Sequence, residues 1–166
     1  MKIKNLVDKT TSFLFKRLSE LIGLAILCLS ILLLASLLSY SPEDPNFIFP
    51  ENAEIKNLLG AKGSYASDIL FQSVGLISLL VPISFFLISL SVIINKKILY
   101  FVESLFFIIL YSITGALFFT VFHTESYWLT INGNNGFLGN LFEETFLINL
   151  INLSLIHISE PTRPNN

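Results

Sequence analysis

Few residues in this chain could do chemistry, and their spacing limits what that chemistry would be. Glu103 is the one charge inside the apolar run from Ile98 to Phe122, and an acid within hydrocarbon is by default a candidate for a proton or ion pathway. It lies about five residues in, roughly 7–8 Å of helical rise. That puts it within reach of Lys96 and Lys97, so pairing with that turn, or snorkelling to it, is the competing structural reading. His123 and Glu125 are close enough to begin a metal site, but two ligands without a third are weak, and a solvated loop accounts for them. Gly60-Ala61-Lys62-Gly63-Ser64 has the residue types of a phosphate loop without the required spacing between its glycines and Lys-Ser/Thr. Cys28 is the only cysteine, so no intrachain disulfide can form, and inside an apolar run it is expected to be a small buried hydrophobe. His157 is far from His123, and no serine or cysteine is paired with a base in a way that sequence alone reveals. No catalytic, cofactor-binding or metal-binding residue is expected.

The elements that carry these residues are membrane spans. Hydrophobic residues make up 53% of the 166 and charged residues 13%, about half the charge of a soluble domain. Sixteen phenylalanines make the apolar content bulky and suited to lipid. The uncharged run Leu21 to Ser39 rises about 1.5 Å per residue and so covers roughly the 30 Å of a bilayer core. It ends in Tyr40-Ser41-Pro42-Glu43-Asp44-Pro45, where two prolines and two acids stop the helix and favour water. A signal peptide would have a shorter apolar region and a small-residue cleavage site. Residues 1–20 carry Lys2, Lys4, Lys9, Lys16 and Arg17, with Phe13, Leu14, Phe15 and Leu18 interleaved. They read as a basic, weakly amphipathic lead-in on an anionic membrane face, or as a plain positive flank.

A second span is expected over 69–94, kinked at Pro82 by the missing backbone donor, and a third over 98–122. Asn95-Lys96-Lys97 is too short for anything but a hairpin turn. Ser112, Gly115 and Ala116 form a small-residue face suited to close helix packing. The fourth segment, about 141–158, is short and polar: its uncharged part, Thr145 to Ile158, falls below the usual span length. It is either an incomplete span or an interfacial helix. The fold expected is therefore an all-α membrane bundle of three full transmembrane helices plus a short or truncated fourth, residues 21–153, after the lead-in.

Lysine and arginine set the orientation. Residues 1–20 and the 95–97 turn are basic, loop 41–68 is dominated by Glu43, Asp44, Glu51, Glu54 and Asp68, and loop 123–136 has no Lys or Arg. The N-terminus is thus expected in the cytoplasm, with 41–68 and 123–136 outside. Tyr40, Tyr100, Tyr127 and Trp128 fall at the expected interfaces. The glycine-rich 60–64 stretch then lies on the wrong side for ATP.

The loop Ser39-Tyr40-Ser41-Pro42-Glu43-Asp44-Pro45 resembles the segment that follows the first of four membrane helices in FtsK/SpoIIIE-type DNA translocases. The likeness continues through Asn57-Leu58-Leu59-Gly60-Ala61-Lys62-Gly63 and Ser67-Asp68-Ile69-Leu70, where Ser67 replaces the more usual alanine. Gly75, Pro82, Asn132-Gly133 and Gly136-Phe137-Leu138-Gly139 extend it, over roughly residues 20–145. The resemblance implies an anchor at the bacterial inner membrane, at the division septum, acting in cell division and chromosome segregation. It implies self-association and septal partner proteins. DNA, ATP and Mg would belong to a cytoplasmic motor that these residues do not include. Loop 40–68 and the small-residue faces are the expected contact surfaces.

Residues 154–166 look like translated sequencing-adapter read-through, in which case the natural chain was cut within its fourth helix; the alternative is a genuine short tail. The competing function is a small four-helix transporter or channel subunit, for which only Glu103, Gln72 and scattered serines could line a path. A membrane-embedded hydrolase would need a nucleophile and base that the spans do not offer.

Overall fold

The computed structural model describes residues 2–45, 54–123, 129, 131–144, 149–151 and 153–154, with backbone alone for 2–6. Nothing between residues 2 and 38 breaks a helix except Gly23, and the chain forms one continuous helix, α1, over Lys2–Leu38. The basic stretch is thus helical and continues into the apolar run without a break. At about 1.5 Å per residue the helix is roughly 55 Å long, nearly twice the hydrocarbon thickness. Gly23 lets α1 approach its neighbour closely, since a Cβ there would meet the Ile93 side chain and the Ser89 carbonyl.

The second span differs from expectation at its start and at its break. Helix α2 covers Gly60–Val74, a 3-10 stretch covers Gly75–Leu79, and helix α3 covers Leu80–Asn95. The break belongs to Gly75, at φ 68 and ψ −147, a conformation open to glycine. Pro82 makes no break because it lies in the first turn of α3, where a backbone N–H has no helical acceptor anyway. Taken end to end, Gly60 to Asn95 would extend about 54 Å, far more than a bilayer core. The contacts of α2 resolve the excess. Its Gly63 carbonyl meets Ser36 near the end of α1, and its Gln72 meets Asn132 in the segment that leads to the last helix. Both partners lie at one end of the bundle, so α2 runs across that end and α3 does the spanning.

Lys96 then adopts a left-handed conformation (φ 55) that closes α3 and turns the chain into α4, Leu99–Phe122. Helix α5 covers Gly136–Glu143, and helical backbone recurs at 149–151 and 153–154. The rest of the expected fourth helix (145–148, 152 and 155–158) and the tail beyond it lie outside the described residues. Among the described residues, three helical stretches, Val7–Leu38, Gly60–Asn95 (α2, the 3-10 stretch and α3 together) and Leu99–Phe122, are long and apolar enough to cross a membrane.

The packing is that of a protein dissolved in lipid. Among the described residues, buried polar side chains (serines, asparagines, Asp44, Asp68 and Thr120) outnumber buried apolar ones, while Leu, Ile and Phe side chains dominate the exterior. Helix α3 lies between α1 and α4, with Val81, Ile88 and Val92 packed on Ile108. A second cluster, Leu37, Tyr40, Phe71 and Leu129, sits under α2. Ser112 and Ala116 are buried, and a Cβ on Gly115 would strike Ile77. The small-residue face is therefore filled from within the chain by the 3-10 stretch, and it is not a surface for partners.

Candidate functional site

The sequence-marked residues converge at the end of the bundle that α2 covers. As α1 ends, the Ser39 hydroxyl donates back to the Ala35 carbonyl (2.7 Å) and accepts from the Leu58 amide (3.1 Å). Ser41 to Asp44 form a tight turn, with the Asp44 amide on the Ser41 carbonyl at 3.2 Å. Pro42 suits such a turn because its fixed φ matches the second position. The turn aims Asp44 inward, where it is 1% exposed. One carboxylate oxygen accepts from the Lys56 amide (2.8 Å) and the other from the Asn57 amide (2.9 Å). Asp44 thus fastens the returning strand of the loop to its outgoing strand.

Asn57 carries the fastening across to the helices. Its side-chain amide donates to the Ser36 carbonyl (2.9 Å), and its side-chain oxygen accepts from the Leu59 amide (3.1 Å). The Ser36 and Ser67 hydroxyls both donate to the Gly63 carbonyl, at 2.6 and 2.9 Å. Ser64 donates to the carbonyl of buried Pro45 at 3.1 Å. A Cβ on Gly63 would collide with the Asn57 side chain, so this glycine is required by proximity. Gly60 is required by conformation alone, at φ 65 with open space around it, and Ala61 is exposed.

The network then runs along α2. The Tyr40 hydroxyl donates to Asp68 (3.2 Å), with its ring 4.9 Å from that of Phe71. Burial, reinforced by the negative charge of Asp68, pushes the Tyr40 hydroxyl up to about 12. Gln72 also donates to Asp68 (3.4 Å) and accepts from Asn132 (2.8 Å). Asn135 bonds Asn140 (2.9 Å) and Thr120 (3.3 Å). Gly75 and Gly136 pack backbone to backbone, joined by the Leu76 amide on the Asn134 carbonyl at 2.9 Å. At the rim Lys56 pairs with Glu43, which lowers the Glu43 carboxyl and raises the Lys56 ammonium.

Other candidates fall elsewhere. Glu103 is exposed on α4 with no ion pair among the described residues. Lys96, its expected partner, instead pairs with Glu20 at 2.9 Å, and Glu20 also holds Arg17 at 2.6 Å. These bonds tie α1 to the α3–α4 turn at the opposite end. Cys28, expected to be buried, is instead exposed, because it falls on an outward face of α1. Glu125, Tyr127, Trp128 and His157 lie outside the described residues, and no group of three metal-ligating side chains occurs among those described. Sequence reasoning missed Ser36, Gln72, Thr120, Asn135 and Asn140 as members of the network. Their signal was the presence of hydrogen-bonding side chains within otherwise apolar or glycine-rich segments.

The hydrogen-bonded clasp lies within the segment that matches known proteins. A family model described as the 4TM region of DNA translocase FtsK/SpoIIIE matches residues 15–156. The chain belongs to that family. Over 54 residues it is 39% identical to the DNA translocase FtsK of Rickettsia bellii (strain RML369-C), an overlap of 32% of this chain and 7% of that protein. No solved structure matches. The FtsK/SpoIIIE region matched is the membrane part of such a translocase and not its ATPase motor. What the clasp can do chemically is hold helices: its polar atoms are engaged with one another and with backbone groups.

Proposed function

We propose that this chain is the membrane anchor and assembly module of a septal DNA translocase, without catalysis of its own. It would sit in the bacterial inner membrane at the division septum, N-terminus in the cytoplasm, with loop 41–68 outside and open to other division proteins. Self-association would add further copies, and DNA, ATP and Mg would be handled by a cytoplasmic motor outside these residues. The observation that carries this reading is the clasp itself. A polar network bonded to itself, under an apolar exterior, suits a rigid anchor rather than a path for solutes. Exposed Glu103 on α4 adds no charge to an interior route. A fluorescent fusion of the chain expressed in dividing bacteria should concentrate at the septum, and the Glu103→Gln fusion should do so equally. Uniform distribution around the cell would overturn the septal role. Loss of solute flux or growth on Glu103→Gln would turn the reading to a transporter.

A further inference from the structure

A groove of about 600 Å³ opens between α1, α2, α3 and α4. Ile26, Leu29 and Leu33 of α1 form one wall, Ala66 of α2 roofs it, and Phe85 and Phe101 face it from α3 and α4. Two serines also line it, but both hydroxyls are engaged, Ser30 on the Leu27 carbonyl (2.7 Å) and Ser36 on the Gly63 carbonyl (2.6 Å). The walls therefore present hydrocarbon. The polar group left at the rim is the Lys62 ammonium, which has no ion pair among the described residues.

Depth decides what fits. From Ser36 to Ile26 the groove follows α1 for about 15 Å, half of a bilayer core. The stacked pair Phe85–Phe101, with centroids 6.3 Å apart, stands at its inner end. A transmembrane helix of a second copy would need a seat about 30 Å long. A slot one leaflet deep, apolar along its length with a cation at headgroup level, matches an acyl chain joined to a phosphate. The Lys62 ammonium supplies the complementary charge.

We propose that this groove holds one phospholipid from the leaflet at the Ser36 end, with an acyl chain along α1 and its phosphate on Lys62. The test is native mass spectrometry of the full chain in detergent, titrated with phosphatidylglycerol or with diacylglycerol of the same chains. Wild type should retain phosphatidylglycerol about tenfold more tightly than diacylglycerol, and Lys62→Glu should erase that difference, as loss of one charge-assisted contact predicts. Ala66→Trp and Leu29→Trp, which fill the groove from two helices, should each lose both lipids while circular dichroism shows unchanged helicity. Lys97→Glu, at the opposite end, should bind as wild type. Equal binding of the two lipids by wild type, or wild-type affinity in Lys62→Glu, would overturn the phosphate contact. A dimer abolished by both tryptophan variants would instead make the groove a protein interface and overturn the proposal.

Discussion

Removing the Asp44 carboxylate leaves the amides of Lys56 and Asn57 without acceptors in a place water reaches poorly. Asp44→Ala should therefore destabilise the protein by about 2–3 kcal/mol, and Asp44→Asn by less, since one oxygen remains. Thermal unfolding in detergent micelles, followed by circular dichroism, measures both. Tyr40 adds a pH dependence whose sign is fixed by the direction of its shift. Its hydroxyl titrates near 10 in the unfolded chain and at about 12 when folded. The folded state holds the proton more tightly, so this stabilisation is complete below about pH 10 and is lost as pH rises through about 12. Tyr40→Phe should flatten that part of the stability curve, as pH-dependent unfolding midpoints would show. Asp44 and Tyr40 drew notice in the sequence through their motif. Their acceptor and donor roles did not, because their partners lie 12 to 28 residues away.

Helix breaks separate two residues that look alike on paper. Pro82→Ala should change stability by no more than about 0.5 kcal/mol, since the first turn of α3 has no bond for proline to remove. Gly75→Ala should cost about 1–3 kcal/mol for its conformation alone, and more because the new methyl meets the Asn134 carbonyl. The same unfolding measurement compares them, and a larger loss from Pro82→Ala would restore the proline kink. The long apolar helices were legible because uncharged length has few alternatives in 166 residues. The start of α2 was not. Gly60-Ala61-Lys62-Gly63-Ser64 has the composition of a loop, and it is helical because Ser64, Ser67, Asp68 and Phe71 fall on one face and are buried together. That face is satisfied by contacts from α1 and the α5 entry, which local pattern does not report.

At the scale of the whole molecule, the two ends of the bundle are built differently. One end is a network of buried side chains; the other is joined by the exposed or half-exposed ion pairs of Glu20 with Arg17 and Lys96, a kind of contact worth about 0–1 kcal/mol. If the N-terminus is cytoplasmic, a cysteine at Glu54→Cys in a Cys28→Ser background should react with a membrane-impermeant maleimide on intact spheroplasts. Lys97→Cys should react only after the membrane is opened, and the reverse pattern would invert the topology. The asymmetry has a mechanical side. Helix α1 is a continuous rod packed along α3, and its hydrogen-bonded attachment lies at the end remote from its basic segment. Tension applied along that segment would pass through the full rod to the bonds of Ser36, Ser39 and Asn57, loading them in shear all at once. Sideways force would first unfasten the Glu20 pairs and let the basic end swing free while the far end held.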